Sequence, residues 1–154
     1  MSGLFLGLQK ALPQQGLSRL VGWLAQSQIP LVRCSFIHLF AKAYDISLAD
    51  AERKELDDYK SFNDFFTRAL ADGARPLPEQ PNALACPVDG TVSQIGRIQS
   101  DLLMQAKGHQ YTLNSLASTT GKGFEDGDFC TIYLAPSNYH RIHLPCDGTL
   151  VETR

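Results

Sequence analysis

The N-terminal part of the chain shows apolar residues at helical spacing. Apolar positions recur three or four residues apart over 3–12 and again over 17–24, with Pro13 and Gly16 interrupting the pattern. Pro30 suits the first turn of a third helix, which is apolar over more than half of its circumference. We therefore predict three amphipathic helices, one after another.

The next part carries two helix-start signals of the form Ser-x-x-Asp. They lie at 47–50 and 61–64, and the second predicts a short helix over 62–70 with its phenylalanines facing inward. Gly73 ends that helix, and a proline-rich stretch through Pro81 predicts an extended linker. The charged segment between the two signals, 52–58, suggests no role of its own.

From residue 83 the pattern changes to short strands separated by Gly, Pro, Asp and Asn. The candidate strands are 83–86, 90–98, 102–105, 129–135, 139–144 and 148–153. This spacing favours an α+β protein whose β part is mainly antiparallel and resembles a sandwich or barrel. We expect three parts: a helical arm over 1–45, a helical connecting region over 46–82 and a β body over 83–154.

The distribution of charge is more informative than its total. The 154 residues carry a formal net charge of −2, yet the first 44 contain four basic residues and no acid, so the remainder carries −6. A basic, apolar arm favours contact with an anionic membrane surface, and the alternative is a helical layer packed on the protein's own core. No run of 18 apolar residues predicts a spanning helix, no signal peptide is expected, and nothing demands nucleic acid. The four cysteines lack Cys-x-x-Cys spacing, so we expect reduced thiols and no metal.

Two histidines and an aspartate are the strongest candidates for chemistry. His140 and His143 follow a strand-like run and a proline-led turn, where imidazoles suit proton transfer near neutral pH; the alternative is a surface loop. Asp89 precedes Gly90 in an ordinary turn pattern. A carboxylate bonded to one imidazole nitrogen fixes the tautomer and leaves the other nitrogen as a base, so Asp89 and His143 make a candidate pair. In a regular strand His140 and His143 would face opposite sides, so they share a site only if the 139–145 segment bends, bulges or begins its strand after His140.

A second candidate segment joins two predicted strands. Lys107, Gly108 and His109 offer a cation and backbone amides to an anionic head group, and the alternative is a plain hairpin loop. We expect these three residues and Tyr139 to contact substrate.

Several motifs, taken in order, resemble the N-terminal half of bacterial phosphatidylserine decarboxylase. The matching segments cover nearly the whole chain: 20–23, 59–68, 75–76, 87–96, 105–111, 133–136 and 139–145.

The resemblance implies a peripheral enzyme of the cytoplasmic face of the bacterial membrane. Such an enzyme removes CO₂ from phosphatidylserine to give phosphatidylethanolamine, and a pyruvoyl group made from one of its own serines accepts the electrons. The family's self-cleavage roles fall on Asp89 and His143, which activate that serine, and His140 matches the histidine associated with proton handling. It also implies a pyruvoyl-bearing small chain as partner, a homodimeric assembly and no metal.

The sequence departs from the family in one feature. The family's cleavage motif, Leu-Gly-Ser, is absent from the 154 residues. We therefore expect an N-terminal fragment of the proenzyme, incomplete at its C-terminal end and inactive alone. Two alternatives stay open: a membrane-binding fragment without chemistry, and a biotinyl- or lipoyl-type carrier module, for which Lys122 between two glycines is a poor match.

Overall fold

The computed structural model describes residues 14–98, 104–106, 109–112, 115, 124 and 126–151. The chain divides into two compact units between Pro76 and Leu77. The predicted helix over 3–12 lies outside the described residues, as do Lys107, Gly108 and Lys122. The division into three parts stays a prediction.

Two helices open the described part of the first unit. Helix α1 spans Gln14–Gln26 and helix α2 spans Pro30–Ala43, with Pro30 at its first turn as predicted. Gly16 lies inside α1 and does not interrupt it, because one glycine costs a helix only about 1 kcal/mol. Helix α2 ends where the Tyr44 amide donates to the Phe40 carbonyl, just before Asp45 adopts a left-handed φ of 49°.

Only one of the two Ser-x-x-Asp signals starts a helix. A turn of 3₁₀-helix spans Leu56–Asp58, and helix α3 spans Phe62–Phe66 behind Ser61, whose Oγ accepts a 3.1 Å hydrogen bond from the Asp64 amide. At Ser47, by contrast, Oγ accepts from the Ala49 amide in a non-helical turn, so that prediction was wrong.

Helix α3 stops four residues before its predicted end. An antiparallel bridge joins Ala51 to Leu70, flanked by backbone hydrogen bonds from Glu52 to Ala69 and from Ala71 to Asp50, each of 2.9 Å. Backbone groups around Leu70 cannot serve this bridge and a helix at once, so the helix ends first.

The first unit has an aromatic core. Ile37 and Phe65 are fully buried, and Tyr59 is 1% exposed. Some of the aromatic rings pack edge to face, among them Phe62 and Phe40, whose ring centroids are 4.9 Å apart. The prediction that the phenylalanines of α3 face inward is therefore confirmed at Phe65.

An ion pair ties the 52–58 segment to α3. The Arg53 guanidinium donates two 2.7 Å hydrogen bonds to the Asp64 carboxylate, which also accepts from the Lys60 amide, and Tyr59 donates its hydroxyl to the Arg53 carbonyl. The segment to which the sequence assigned no role therefore fixes α3 in place.

Among its described residues, the second unit forms four short strands in two antiparallel pairs. Strand β1 (Thr91–Arg97) pairs with β4 (Asp128–Tyr133), and β2 (Met104–Ala106) pairs with β3 (His109–Tyr111). The β1–β4 register runs from Thr91 opposite Tyr133 to Arg97 opposite Asp128, with a bulge between Val92 and Gln94.

The α+β class is confirmed, and some predicted strands are not formed. Residues 83–86, 139–144 and 148–151 are not strands. The backbone hydrogen bonds from Ala85 to Pro145 and from His143 to Pro87 do not make up a continuous ladder. The described residues form two two-stranded sheets, and the sandwich or barrel stays a prediction.

Candidate functional site

Two extended segments of the second unit run side by side. The Ala85 amide donates to the Pro145 carbonyl at 2.8 Å, and the His143 amide donates to the Pro87 carbonyl at 2.9 Å. These bonds hold the backbone of His143 against a residue only two positions before Asp89.

A close backbone approach fixes the other side of Asp89. A Cβ atom at Gly90 would lie 2.6 Å from the Tyr133 carbonyl oxygen and 2.8 Å from Ile132 Cγ2, so only glycine fits there. Thr91 then enters the β1–β4 ladder opposite Tyr133. Half-buried Asp89 thus lies between a segment bound to His143 and a strand bound to β4. The backbone brings the two segments together, and contact between the Asp89 and His143 side chains stays a prediction.

The turn after β4 presents the histidine segment. The Asn138 amide donates to the Ala135 carbonyl at 2.9 Å, and Asn138 Oδ1 accepts from the Ala135 amide at 2.6 Å. The turn predicted at Pro136 is therefore confirmed. Because 139–144 is not a strand, the alternation that would have separated His140 from His143 does not apply.

His140 is half-buried and bonded to the turn. Its Nδ1 lies 2.8 Å from the Asn138 carbonyl oxygen. Since a carbonyl only accepts, Nδ1 carries the proton, which leaves Nε2 as the nitrogen with a lone pair in the neutral ring.

Tyr139 contacts His143 directly. The Tyr139 hydroxyl lies 2.8 Å from His143 Nε2, and the two rings stack at 5.6 Å between centroids and 16° between planes. Tyr139 is only 7% exposed, whereas His143 is exposed. The sequence predicted a substrate contact for Tyr139, and no pattern signalled this partnership, because it depends on how an irregular segment folds.

The other predicted substrate contacts are untested. His109 lies in β3 opposite Ala106, and Lys107 and Gly108 fall outside the described residues. Their proposed contact with a head group stays a prediction.

An open groove of about 540 Å³ borders the Ala85–Pro145 contact. Its lining includes Leu77, Pro81, Leu144 and Gly148. Within the described ranges, no three His, Cys, Asp or Glu side chains are placed to hold a metal ion, and all four cysteines are free thiols.

Helices α1 and α2 expose many apolar side chains. Trp23 is 63% exposed, Leu31 79% and Leu39 70%, and Leu17, Leu20 and Val21 are also exposed. Among the helices that the structure describes, none combines the length and hydrophobicity needed to cross a bilayer.

Comparisons with known proteins point to one family. A family model described as "Phosphatidylserine decarboxylase" matches residues 62–154, and a second, described as "PSD", matches residues 4–45.

Individual relatives are similar along almost the whole chain. A protein of Psychrobacter arcticus named phosphatidylserine decarboxylase proenzyme is 51% identical over 152 residues, covering 97% of this chain and 55% of the relative. Proteins of the same name from Pasteurella multocida and Alcanivorax borkumensis are each 47% identical, over 96% and 98% of this chain and 51% and 53% of their own lengths. The chain thus spans about half the length of these relatives.

Proposed function

This chain belongs to the phosphatidylserine decarboxylase family, and on that premise we propose that it is the N-terminal part of a proenzyme that converts phosphatidylserine to phosphatidylethanolamine. The observation that supports the site is the hydrogen bond from the His143 amide to the Pro87 carbonyl. This bond holds the segment that carries His143 beside the segment that carries Asp89, which lies 54 positions earlier in the chain.

The family implies a pyruvoyl group made from a serine. When bound, that group supplies an electron-accepting carbonyl, which no ordinary side chain offers. The chemistry of the donor set fits this group: the segments that carry a carboxylate and two imidazoles meet at the end of β4, as activation of a serine hydroxyl requires. The residues that would form and use this group are Asp89, His143 and His140.

Each of these residues has a distinct proposed role. Asp89 accepts a hydrogen bond from the His143 ring and stabilises its charged form. His143 takes the proton of a serine hydroxyl contributed by the C-terminal half of the proenzyme. His140, whose Nδ1 is committed to the Asn138 carbonyl, moves a proton through Nε2 during decarboxylation.

The membrane role belongs to the N-terminal arm, residues 1–45. Exposed apolar side chains on α1 and α2 accompany the basic residues Arg19, Arg33 and Lys42, a combination that suits a helix lying in an anionic bilayer interface. We place the enzyme on the cytoplasmic face of the membrane as a peripheral protein, paired with a pyruvoyl-bearing small chain in a homodimer.

The proposal is tested by measuring decarboxylation with a proenzyme that begins with these 154 residues and has the full length of the relatives. We call it the family-length proenzyme. Phosphatidylserine labelled at its serine carboxyl carbon is supplied in vesicles, and release of labelled CO₂ is measured. We expect release from the parent, and we expect His140→Ala to undergo self-cleavage but release CO₂ at least 100-fold more slowly, since a positioned acid–base group contributes about 10²–10⁴-fold.

The control changes an exposed residue outside the arm and outside the three proposed catalytic residues. Asp147 is exposed, and Asp147→Ala is expected to keep the parent rate. A parent that cleaves itself yet releases no CO₂ contradicts the proposed activity, and full activity of His140→Ala contradicts the role of that residue.

A further inference from the structure

We infer that Tyr139 is a positioning residue for His143. Its hydroxyl binds Nε2 and thereby sets the tautomer and the orientation of the imidazole ring. The inference rests on the proposed role of His143 and adds a residue to it. Three observations carry it: the 2.8 Å contact, the stacked rings and the burial of Tyr139.

The direction of the hydrogen bond follows from acidity. A phenol is a much stronger acid than the N–H of a neutral imidazole, and an imidazole nitrogen is a stronger base than a phenol oxygen. The Tyr139 hydroxyl therefore donates to Nε2, and the proton of the neutral ring lies on Nδ1.

That tautomer is the one a carboxylate can use. An ionised carboxylate only accepts hydrogen bonds, so Asp89 can bind the His143 ring only through a nitrogen that carries a proton. The proposed contact with Asp89 then uses the protonated Nδ1, and Nε2 is the nitrogen that takes the proton of a serine. The Tyr139 hydroxyl occupies that position until the serine hydroxyl replaces it.

Burial makes Tyr139 suited to this task. His143 is exposed, whereas Tyr139 is 7% exposed and follows a turn closed by two hydrogen bonds of Asn138. The buried ring supports one face of the imidazole, and the hydroxyl fixes its rotation.

The first test observes the tautomer directly in the 154-residue chain. Histidines are labelled with ¹⁵N, spectra are recorded at pH 8, and a His143→Gln variant identifies the two nitrogen signals of His143. We expect protonated Nδ1 and lone-pair Nε2 in the parent, and a shift toward the Nε2–H tautomer in Tyr139→Phe, which keeps the ring and loses the hydroxyl.

A matched control removes a different hydroxyl of the same unit. Tyr133→Phe alters an exposed side chain of β4 and is expected to leave the His143 signals unchanged. A parent with Nε2–H as the main tautomer overturns the inference, as does a Tyr139→Phe spectrum equal to that of the parent. If Tyr139→Phe does not fold, the parent spectrum alone decides.

The second test measures self-cleavage in the family-length proenzyme. Without the Tyr139 hydroxyl, part of the His143 population adopts the Nε2–H tautomer, which cannot take the serine proton, so Tyr139→Phe is expected to slow cleavage roughly 3- to 10-fold. Parent-like cleavage of Tyr139→Phe would contradict the inference. Parent-like cleavage of His143→Ala would instead contradict the proposed function, whatever the tautomer, so the two failures are distinguishable.

Discussion

At the scale of single residues, the firmest electrostatic feature is the Arg53–Asp64 pair. Two 2.7 Å hydrogen bonds from Arg53, followed by the one from the Lys60 amide, lower the pKa of Asp64 to about 2. Both side chains are about 30% exposed, so solvent screening weakens the pair without abolishing it.

We predict that Asp64→Asn lowers the free energy of unfolding of the first unit by about 1–2 kcal/mol at pH 7. Because the folded-state pKa lies below the ordinary 3.8, this contribution is complete above about pH 4 and is lost as the pH falls toward 2. Denaturant unfolding at pH 7 and at pH 2.5 checks both statements.

The chain contains a matched control for that prediction. Asp50 pairs with Arg75 at 2.9 Å, but the two side chains are 58% and 47% exposed, so Asp50→Asn is expected to cost only a few tenths of a kcal/mol. If both variants lost the same free energy of unfolding, the Arg53–Asp64 pair would stabilise the protein no more than the exposed Arg75–Asp50 pair does.

Among the secondary-structure elements, the sequence patterns predicted the helices better than the β body over 83–154. Helices α1 and α2 and strands β1 and β4 follow from local periodicity and proline placement. Ser47 and Ser61 carry the same signal, yet only Ser61 caps a helix, because the chain after Ser47 enters the Ala51–Leu70 bridge, a contact between positions 19 residues apart.

The two serines give a direct prediction. Ser61→Ala is expected to destabilise the first unit by about 1 kcal/mol through loss of the cap on α3. Ser47→Ala removes only an exposed hydrogen bond in a turn and is expected to change stability by less than about 0.5 kcal/mol. Denaturant melts of both variants at one pH make the comparison, and a larger effect at Ser47 would reverse this interpretation.

The start of β1, two residues after Asp89, depends on Gly90. We predict that Gly90→Ala destabilises the second unit by about 1–3 kcal/mol, since its methyl group would collide with the Tyr133 backbone and Ile132. Gly148→Ala serves as control because nothing lies within 4 Å of its Cβ position. Thermal unfolding of both variants measures the difference, and similar melting temperatures would contradict the close approach.

At the scale of the whole molecule, the sequence pointed to the candidate residues but not to their arrangement. His140, His143 and Asp89 could be named from motifs and resemblance, whereas the Tyr139–His143 contact arises from an irregular segment that no periodicity describes. The second unit also exposes apolar side chains, among them Ile95 and Ile142, which we expect the C-terminal half of a family-length protein to cover.

Membrane binding by the N-terminal arm can be followed through its tryptophan. Trp23 is the single tryptophan and is 63% exposed on α1, so its fluorescence reports contact of the arm with lipid. We predict a blue shift with anionic vesicles that weakens as salt is added, and a smaller shift for Leu39→Gln. Leu84→Gln, at an equally exposed leucine of the other unit, is the control. Equal binding to neutral vesicles would remove the electrostatic part of the argument.

The proposed pairing of Asp89 with His143 is tested most directly by self-cleavage of the family-length proenzyme on a denaturing gel. Asp89→Ala and His143→Ala are each expected to leave a single uncleaved chain, while Asp147→Ala, which changes an exposed carboxylate in the same unit, is expected to give two chains like the parent. Normal cleavage in both Asp89→Ala and His143→Ala would contradict the proposal that these two residues activate the serine.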